Sequence, residues 1–355
     1  MIDYMFYHNM GKENIRRMYD GSLNRDDLFA MVQANRSDLP SIDQLETTNA
    51  CNLKCVMCPR GKANRMTRPV QSMDQGLFRN VIDQIAKVEN AKSARGIGMR
   101  DFKENPPPSL VWPGSEYDVC ALRLHHFGSP MLDPAILERV NYIKTSTQLP
   151  IQFSETIINL KLQQVRELFR MGLDRLIIAL DGTNAEEFEA SRGVRVANFD
   201  AMIQRVRDII EAKLQLGDRT KLDVQIIQMK HTPRESFIRE WESAEGVDVH
   251  VKPFFPYPDI PHELVTDSDT VFQRDCRLPF TSLTIMADGR VVPCNSDYNG
   301  EHVFGDLNHQ SLQEVWNSPE VIEFCRRFIF DLFQSDSLCN RCGFYPHYKG
   351  GDQST

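Results

Sequence analysis

From residue 42 onward, short apolar runs alternate with longer stretches in which apolar side chains return every three or four positions. The runs read as strands and the stretches as helices. IDQLETT, beginning at Ile42, is the first strand, and MDQGLFRNVIDQIAKV follows with Phe78, Val81, Ile82 and Ile85 on one helical face. YDVCALRLHHFG, LPIQFSE, LDRLIIALDG, KLDVQIIQM and VDVHVKPFF supply five further strands. Helices are predicted in PAILERVNYIKT, in NLKLQQVRELFRMG, from about Asn198 to Leu216, and in ESFIREWESAEG. Gly172 suits the end of the second of these.

Six strands separated by helices predict an α/β fold with a parallel sheet and helices outside it, because parallel neighbours need a crossover connection. In such sheets ligands bind at the rim formed by the C-terminal strand ends. Residues 1–40 form a helical preface, with Leu28, Met31 and Val32 at helical spacing. The alternating region spans 41–261. It is interrupted at 92–116 by a Gly- and Pro-rich insertion, KSARGIGMRDFKENPPPSLVWPGSE, long enough to act as a lid or as a plain surface excursion. From about 262 to 355 the alternation stops and the remaining cysteines appear, so a separate domain is predicted there.

A chain of 355 residues is long enough to bury a large core. Its formal net charge of -8 offers no basic footprint for nucleic acid. The N-terminal stretch mixes charge into every short apolar group, and no segment approaches the roughly 20 apolar residues of a membrane span. The expectation is a soluble, cytoplasmic protein that binds neither nucleic acid nor membrane. Nine cysteines in a reducing compartment point to metal rather than to disulfides.

Cys51, Cys55 and Cys58 fall in CNLKCVMCPR, a CxxxCxxC spacing in the loop after the first strand. Iron–sulfur cubanes are ordinarily held by one thiolate per iron, so three cysteines leave one iron open to a ligand. Zinc completed by a distant histidine, or three buried thiols, are the alternatives. The motif at this position resembles the radical S-adenosylmethionine (SAM) superfamily. That resemblance implies a partial (β/α)6 TIM-like barrel and a [4Fe-4S] cluster whose fourth iron is chelated by SAM. It further implies a 5′-deoxyadenosyl radical that abstracts a substrate hydrogen atom, and an external one-electron reductant such as flavodoxin or ferredoxin.

The resemblance extends along the barrel. Met57 matches the position near the adenine, and HFGSP, with Phe127, Gly128 and Ser129, occupies the place of a Gly-Gly-Glu-Pro-like segment that meets the SAM amino group. Ser129 replaces the usual glutamate, which favours backbone carbonyls as the contacts. Ser154 and Glu155 match the ribose-contact position. ALDGTNAEEFEASRGV resembles a segment in which Arg192 pairs with the SAM carboxylate, and Asp181 is either part of that site or a turn residue. For Arg192 the alternative is a surface arginine at a helix end. Gln228 and Met229 are adenine-side candidates.

Cys276, Cys294, Cys339 and Cys342 form a second set, with 17, 44 and 2 residues between them. Four thiolates suit a fully ligated auxiliary [4Fe-4S] cluster, with structural zinc as the alternative. FTSLTIMADGRVVPC reads as a hairpin turning at Asp288-Gly289 that carries Cys294 back toward the core. The arrangement is similar to the SPASM and twitch extensions of radical SAM enzymes, and most of all to the aminocyclitol dehydrogenases of aminoglycoside biosynthesis. This implies oxidation of a secondary alcohol on a sugar or aminocyclitol, with the auxiliary cluster accepting an electron. Redox-neutral epimerisation, dehydration or decarboxylation, or peptide maturation, are the alternatives. Cys120 reads as a core residue. Cys325 is either a core residue or a hydrogen-atom donor, and Lys252, His125 and His126 are candidate bases or hydroxyl contacts, or core residues.

Overall fold

The computed structural model describes residues 13–14, 16–18, 20–95, 98–99, 101, 121–217, 219–255, 257–260, 276 and 278–342. Cys120, most of the 92–116 insertion and the boundary expected near 262 lie outside them. In chain order the elements begin with α1 (Arg25–Asn35), β1 (Ile42–Leu45), α2 (Gln75–Ser93), β2 (Leu122–Arg123), α3 (Ile136–Ser146), β3 (Ile151–Thr156) and α4 (Leu162–Arg170). They continue with β4 (Arg175–Ala179), α5 (Ala185–Arg192), α6 (Phe199–Leu216), β5 (Lys221–Gln228), α7 (Arg234–Trp241) and β6 (Asp248–Pro253). The last part holds α8 (Leu278–Thr281), β7 (Leu283–Ile285), β8 (Arg290–Val292), β9 (Gly305–Asp306), α9 (Leu312–Trp316), α10 (Pro319–Ile329) and α11 (Leu338–Arg341). Two compact units emerge, one drawing on 46–74 and 123–271, the other on 1–45, 75–122 and 272–355.

In the first unit β3, β4, β5 and β6 pair in parallel, with Ser154, Ile177, Asp223 and Asp248 at one level of the ladder. Two residues higher stand Thr156, Ala179, Gln225 and His250. Because side chains alternate across a strand, these levels lie on one face together with Arg175 and Lys252. The opposite face is apolar: Phe153, Leu176, Ile178, Leu222, Val224 and Ile226 are all buried. Helix α5 was not legible in the hydrophobic pattern. Its capping residues were the usable signal, since Asn184 accepts the Glu187 N–H and Gly193 closes the helix at φ +68°.

The second unit pairs distant parts of the chain. β1 runs parallel to β7, with Ile42 opposite Leu283, and β7, β8 and β9 continue antiparallel. The turn between β7 and β8 places Gly289 at φ +92°, as the Asp-Gly reading expects. Trp316 Nε1 donates to the Ser37 carbonyl at 2.8 Å, and the Arg36 guanidinium lies 3.9 Å above the Trp316 ring. The Leu312 N–H donates to Gln84 at 2.6 Å, which ties α9 to α2.

Candidate functional site

The first cysteine loop is held from two sides. The backbone N–H groups of Lys54 and Val56 donate to the carbonyls of Arg192 (3.1 Å) and Ser191 (3.0 Å), so the loop rests on the C-terminal end of α5. A Cβ at Gly193 would stand 2.3 Å from the Lys54 carbonyl oxygen, and one at Gly61 2.2 Å from that of Cys55. On the other side Arg60 donates to the Phe127 carbonyl at 2.9 Å and to the Asn49 carbonyl. The three thiols lie within electrostatic reach of one another. Burial and then the other thiols push Cys58 up to about 12, and burial foremost raises Cys51. Bound cationic metal removes that penalty by holding thiolates.

The segment after β2 packs on this loop. The Ser129 N–H donates to the Ala50 carbonyl at 2.8 Å, and a Cβ at Gly128 would stand 1.9 Å from the Thr48 carbonyl oxygen. Met57 and Phe127 are buried, with the Phe127 ring 5.1 Å from that of Tyr257. Glu155, expected at the ribose, is occupied within the fold. Its carboxylate accepts from the Ser129 hydroxyl (2.5 Å), the Met131 N–H (2.9 Å), the Thr156 N–H (2.8 Å) and Asn159 Nδ2 (3.3 Å). Burial raises its pKa despite these donors. The geometry gives Glu155 the work of holding the 129–131 turn, while Ser154 is the member of the pair on the polar face.

Arg192 is buried, unlike a surface helix-end arginine. It pairs with Asp181 and reaches Cys55 Sγ with Nη1 at 3.5 Å. Asp181 stands at φ +50° just past β4, and its other oxygen accepts the Ile227 N–H at 2.6 Å. The turn reading and the site reading of Asp181 therefore coincide: one carboxylate fixes the β4 turn to β5 and aims Arg192 at the cysteine loop. Gln228 and Met229 end β5, half-buried. Thr156 Oγ1, Arg192 Nε and Gln228 Oε1 are buried without a hydrogen-bond partner. Unpaired buried polar atoms are costly, and a polar ligand at the strand ends would satisfy them. Sequence reasoning missed Thr156 and Arg60, for which no motif speaks.

The histidines separate. His126 Nδ1 lies 3.5 Å from Glu46, which Arg68 grips at 2.8 and 2.9 Å in a fully buried group. Burial alone would raise the Glu46 carboxyl, but His126 and Arg68 hold it well below the ordinary carboxylate range. His125 Nδ1 instead accepts the Ser154 N–H at 3.3 Å. Burial, and after it the positive charge of Arg123, Lys252 and His126, pushes His125 down to about 3. Lys252 is half-buried near the end of β6, lowered to about 8 by burial and then by Arg123 and Arg192.

In the second unit Cys276, Cys294, Cys339 and Cys342 come together. Burial first, then the thiols of Cys276 and Cys342, raises Cys294, and Cys339 is raised by burial and by the other three. Asp297, also buried, takes the N–H groups of Gly300 (2.8 Å), Glu301 (2.7 Å) and His302 (2.8 Å), which shapes the loop after Cys294. Cys325 stands apart from the set. It is fully buried on α10, and its thiol donates to the Pro279 carbonyl at 3.4 Å, as a core residue does. Among the described residues no three His, Cys, Asp or Glu side chains are arranged around a single metal ion.

Residues 276–343 match the sequence profile of the SPASM iron–sulfur cluster-binding domain. The SuiB protein of Streptococcus suis, solved with S-adenosylmethionine bound, superposes with a TM-score of 0.58 over 91% of this chain and 75% of its own, at 14% identity. The chain has the radical SAM fold and carries a SPASM domain. A tagged anSMEcpe with bound AdoMet shares that fold at a TM-score of 0.51, with 12% identity, 88% of this chain and 85% of the other covered. Among curated proteins, the S-adenosyl-L-methionine-dependent 2-deoxy-scyllo-inosamine dehydrogenase of Niallia circulans is 19% identical over 322 residues, covering 89% of this chain and 94% of its own. The SPASM match begins on Cys276 and takes in Cys294, Cys339 and Cys342, so the whole second thiol set lies inside it. The three- and four-thiol sets fit one open and one closed [4Fe-4S] cluster, with SAM at the open one.

Proposed function

We propose that this chain is a radical SAM oxidoreductase that removes a hydrogen atom from a carbohydrate or aminocyclitol carbon and leaves a secondary alcohol as a ketone. The observation that supports this reading is the contrast between three clustered thiols beside a buried arginine and four clustered thiols inside a SPASM domain. When bound, SAM supplies the hydrogen-abstracting radical and the auxiliary cluster a one-electron acceptor. The distant relative's name, a dehydrogenase of an aminocyclitol, agrees with that chemistry.

The chain's own residues position and discharge. Arg192, aimed by Asp181, offers its guanidinium to the SAM carboxylate beside Cys55, a contact suited to a planar fork. Arg60 and Glu155 keep the 127–131 segment against the cysteine loop, so that its backbone faces the cofactor. Loss of one hydrogen atom, one proton and one electron converts the carbinol to the carbonyl. Lys252, lowered to about 8 by burial and then by Arg123 and Arg192, is the candidate to take the proton, and His125, whose Nδ1 accepts the Ser154 N–H, is a candidate hydroxyl contact. A flavodoxin or ferredoxin is proposed as reductant.

The test is an anaerobic assay of reconstituted protein with SAM and dithionite against a panel of sugars and aminocyclitols. The expected result is 5′-deoxyadenosine and a carbonyl product in step. 5′-Deoxyadenosine accompanied by solvent deuterium in an unoxidised product would replace this reading with a redox-neutral one, and a modified peptide with a maturase.

A further inference from the structure

The first cysteine loop has a third support, on the side of Cys51. Between the Ala50 carbonyl, which accepts from Ser129, and the Lys54 N–H, which donates to Arg192, the chain runs through Cys51, Asn52 and Leu53. Asn52 is exposed, yet its amide is paired on both edges. Its Nδ2 donates to Asn159 Oδ1 at 2.9 Å, and its Oδ1 accepts from Asn159 Nδ2 at 3.1 Å. A reciprocal pair of this kind fixes both amides together, because turning either one over sets donor against donor and acceptor against acceptor.

Asn159 ends the single turn Ile157–Asn159 that follows β3, and its orientation is dictated from inside the fold. Nδ2 also donates to Ser129 Oγ at 2.8 Å and to Glu155 Oε1 at 3.3 Å. The Ser129 hydroxyl gives its proton to Glu155 Oε2, so its lone pairs call for a donor. Turned over, Asn159 would set Oδ1 against two oxygens. One N–H therefore points to Ser129 and Glu155, which leaves the other N–H and Oδ1 to meet Asn52. Amide orientation thus passes from a buried carboxylate to an exposed side chain, and it joins the cysteine loop, the 129–131 turn and the end of β3.

We propose that Asn159 and Asn52 are positioning residues for SAM, their paired amides holding the Cys51 side of the loop in register with the 129–131 turn. The end of α5 and Arg60 hold the loop beyond Cys51. Three thiolates can keep a cluster without the amide pair, whereas SAM must meet the loop and the turn at once. Affinity for SAM is therefore what the pair controls. This rests on the part of the proposed function that places SAM at the three-thiol cluster, and not on oxidation of an alcohol.

The test is anaerobic titration of the reconstituted full chain with SAM. It is read by calorimetry and by the change SAM makes in the electron paramagnetic resonance spectrum of the dithionite-reduced protein. Asn52→Ala and Asn159→Ala are each expected to weaken SAM binding about tenfold, the worth of two hydrogen bonds. Because both lose the same pair, the double variant should bind no worse than Asn159→Ala alone. In Asn52→Ala, iron should stay at about eight per chain and the melting temperature of the SAM-free protein should not move, since that side chain is exposed. Asn52→Asp sets an oxygen against Asn159 Oδ1, so it should lose as much affinity, and it carries the test if Asn159→Ala does not fold. Affinity within about twofold of wild type in Asn52→Ala or Asn52→Asp, losses that add in the double variant, or iron lost from Asn52→Ala overturns the inference. A wild-type protein that binds no SAM would instead overturn the proposed function.

Discussion

Arg192 and Asp181 show how one ion pair sets a site. Removing Asp181 leaves a buried guanidinium beside Cys55 without its counter-charge, a loss of about 3–5 kcal/mol by the behaviour of broken buried pairs. Asp181→Ala is therefore expected to lower the melting temperature and weaken SAM binding together, measured by calorimetry on the reconstituted protein. Arg192→Lys should not restore SAM affinity, because a point charge lacks the fork that reaches carboxylate and thiol at once. Gly193 is the backbone counterpart. With φ at +68° and the Lys54 carbonyl oxygen 2.3 Å from any added Cβ, Gly193→Ala should displace the first cysteine loop. Iron analysis should then fall from about eight to about four per chain, the four that Cys276, Cys294, Cys339 and Cys342 retain.

At the scale of elements, the β7–β8 hairpin delivers Cys294, and its turn depends on Gly289 at φ +92°. Gly289→Ala should remove the complementary four irons while SAM-dependent formation of 5′-deoxyadenosine persists, which a combined iron and product assay reads. The rim of the β2–β6 unit predicts acid sensitivity. His125 and His250 stay neutral in the fold down to about pH 3, whereas in the unfolded chain they take a proton near their ordinary value. The unfolded state thus binds more protons between roughly pH 6.5 and 3, and stability falls as pH falls through that window. Glu46 adds to the same slope at its lower end, since its depressed carboxyl contributes stability that is lost on protonation. Melting temperatures at pH 7 and pH 4.5 should show the drop, and His125→Gln should reduce it.

Across the whole molecule the two thiol sets lie in different compact units, so their losses should separate. Replacing Cys51, Cys55 and Cys58 with alanine is expected to abolish 5′-deoxyadenosine formation. Replacing Cys276, Cys294, Cys339 and Cys342 should spare it and abolish the ketone, as chromatography of both products will show. The units themselves are made from interrupted segments: Ser37 meets Trp316, Gln84 meets Leu312, and Ile42 pairs with Leu283. Among the described residues no helix is long and apolar enough to cross a membrane.

The sequence by itself determined the alternation of strands and helices, the two cysteine sets and the Asp-Gly turn, because periodicity, ligand spacing and turn chemistry are local properties of the chain. Its pattern also placed Asp181 just past one strand and Lys252 near the end of another. Only the tertiary structure decided which partners they meet. Glu155 turned out to hold the 129–131 turn, Thr156 and Arg60 entered the site without a motif, and β1 found its parallel neighbour some 240 residues away. Each of these depends on which groups burial brings within hydrogen-bonding distance, and burial is a property of the assembled sheet rather than of neighbours in sequence.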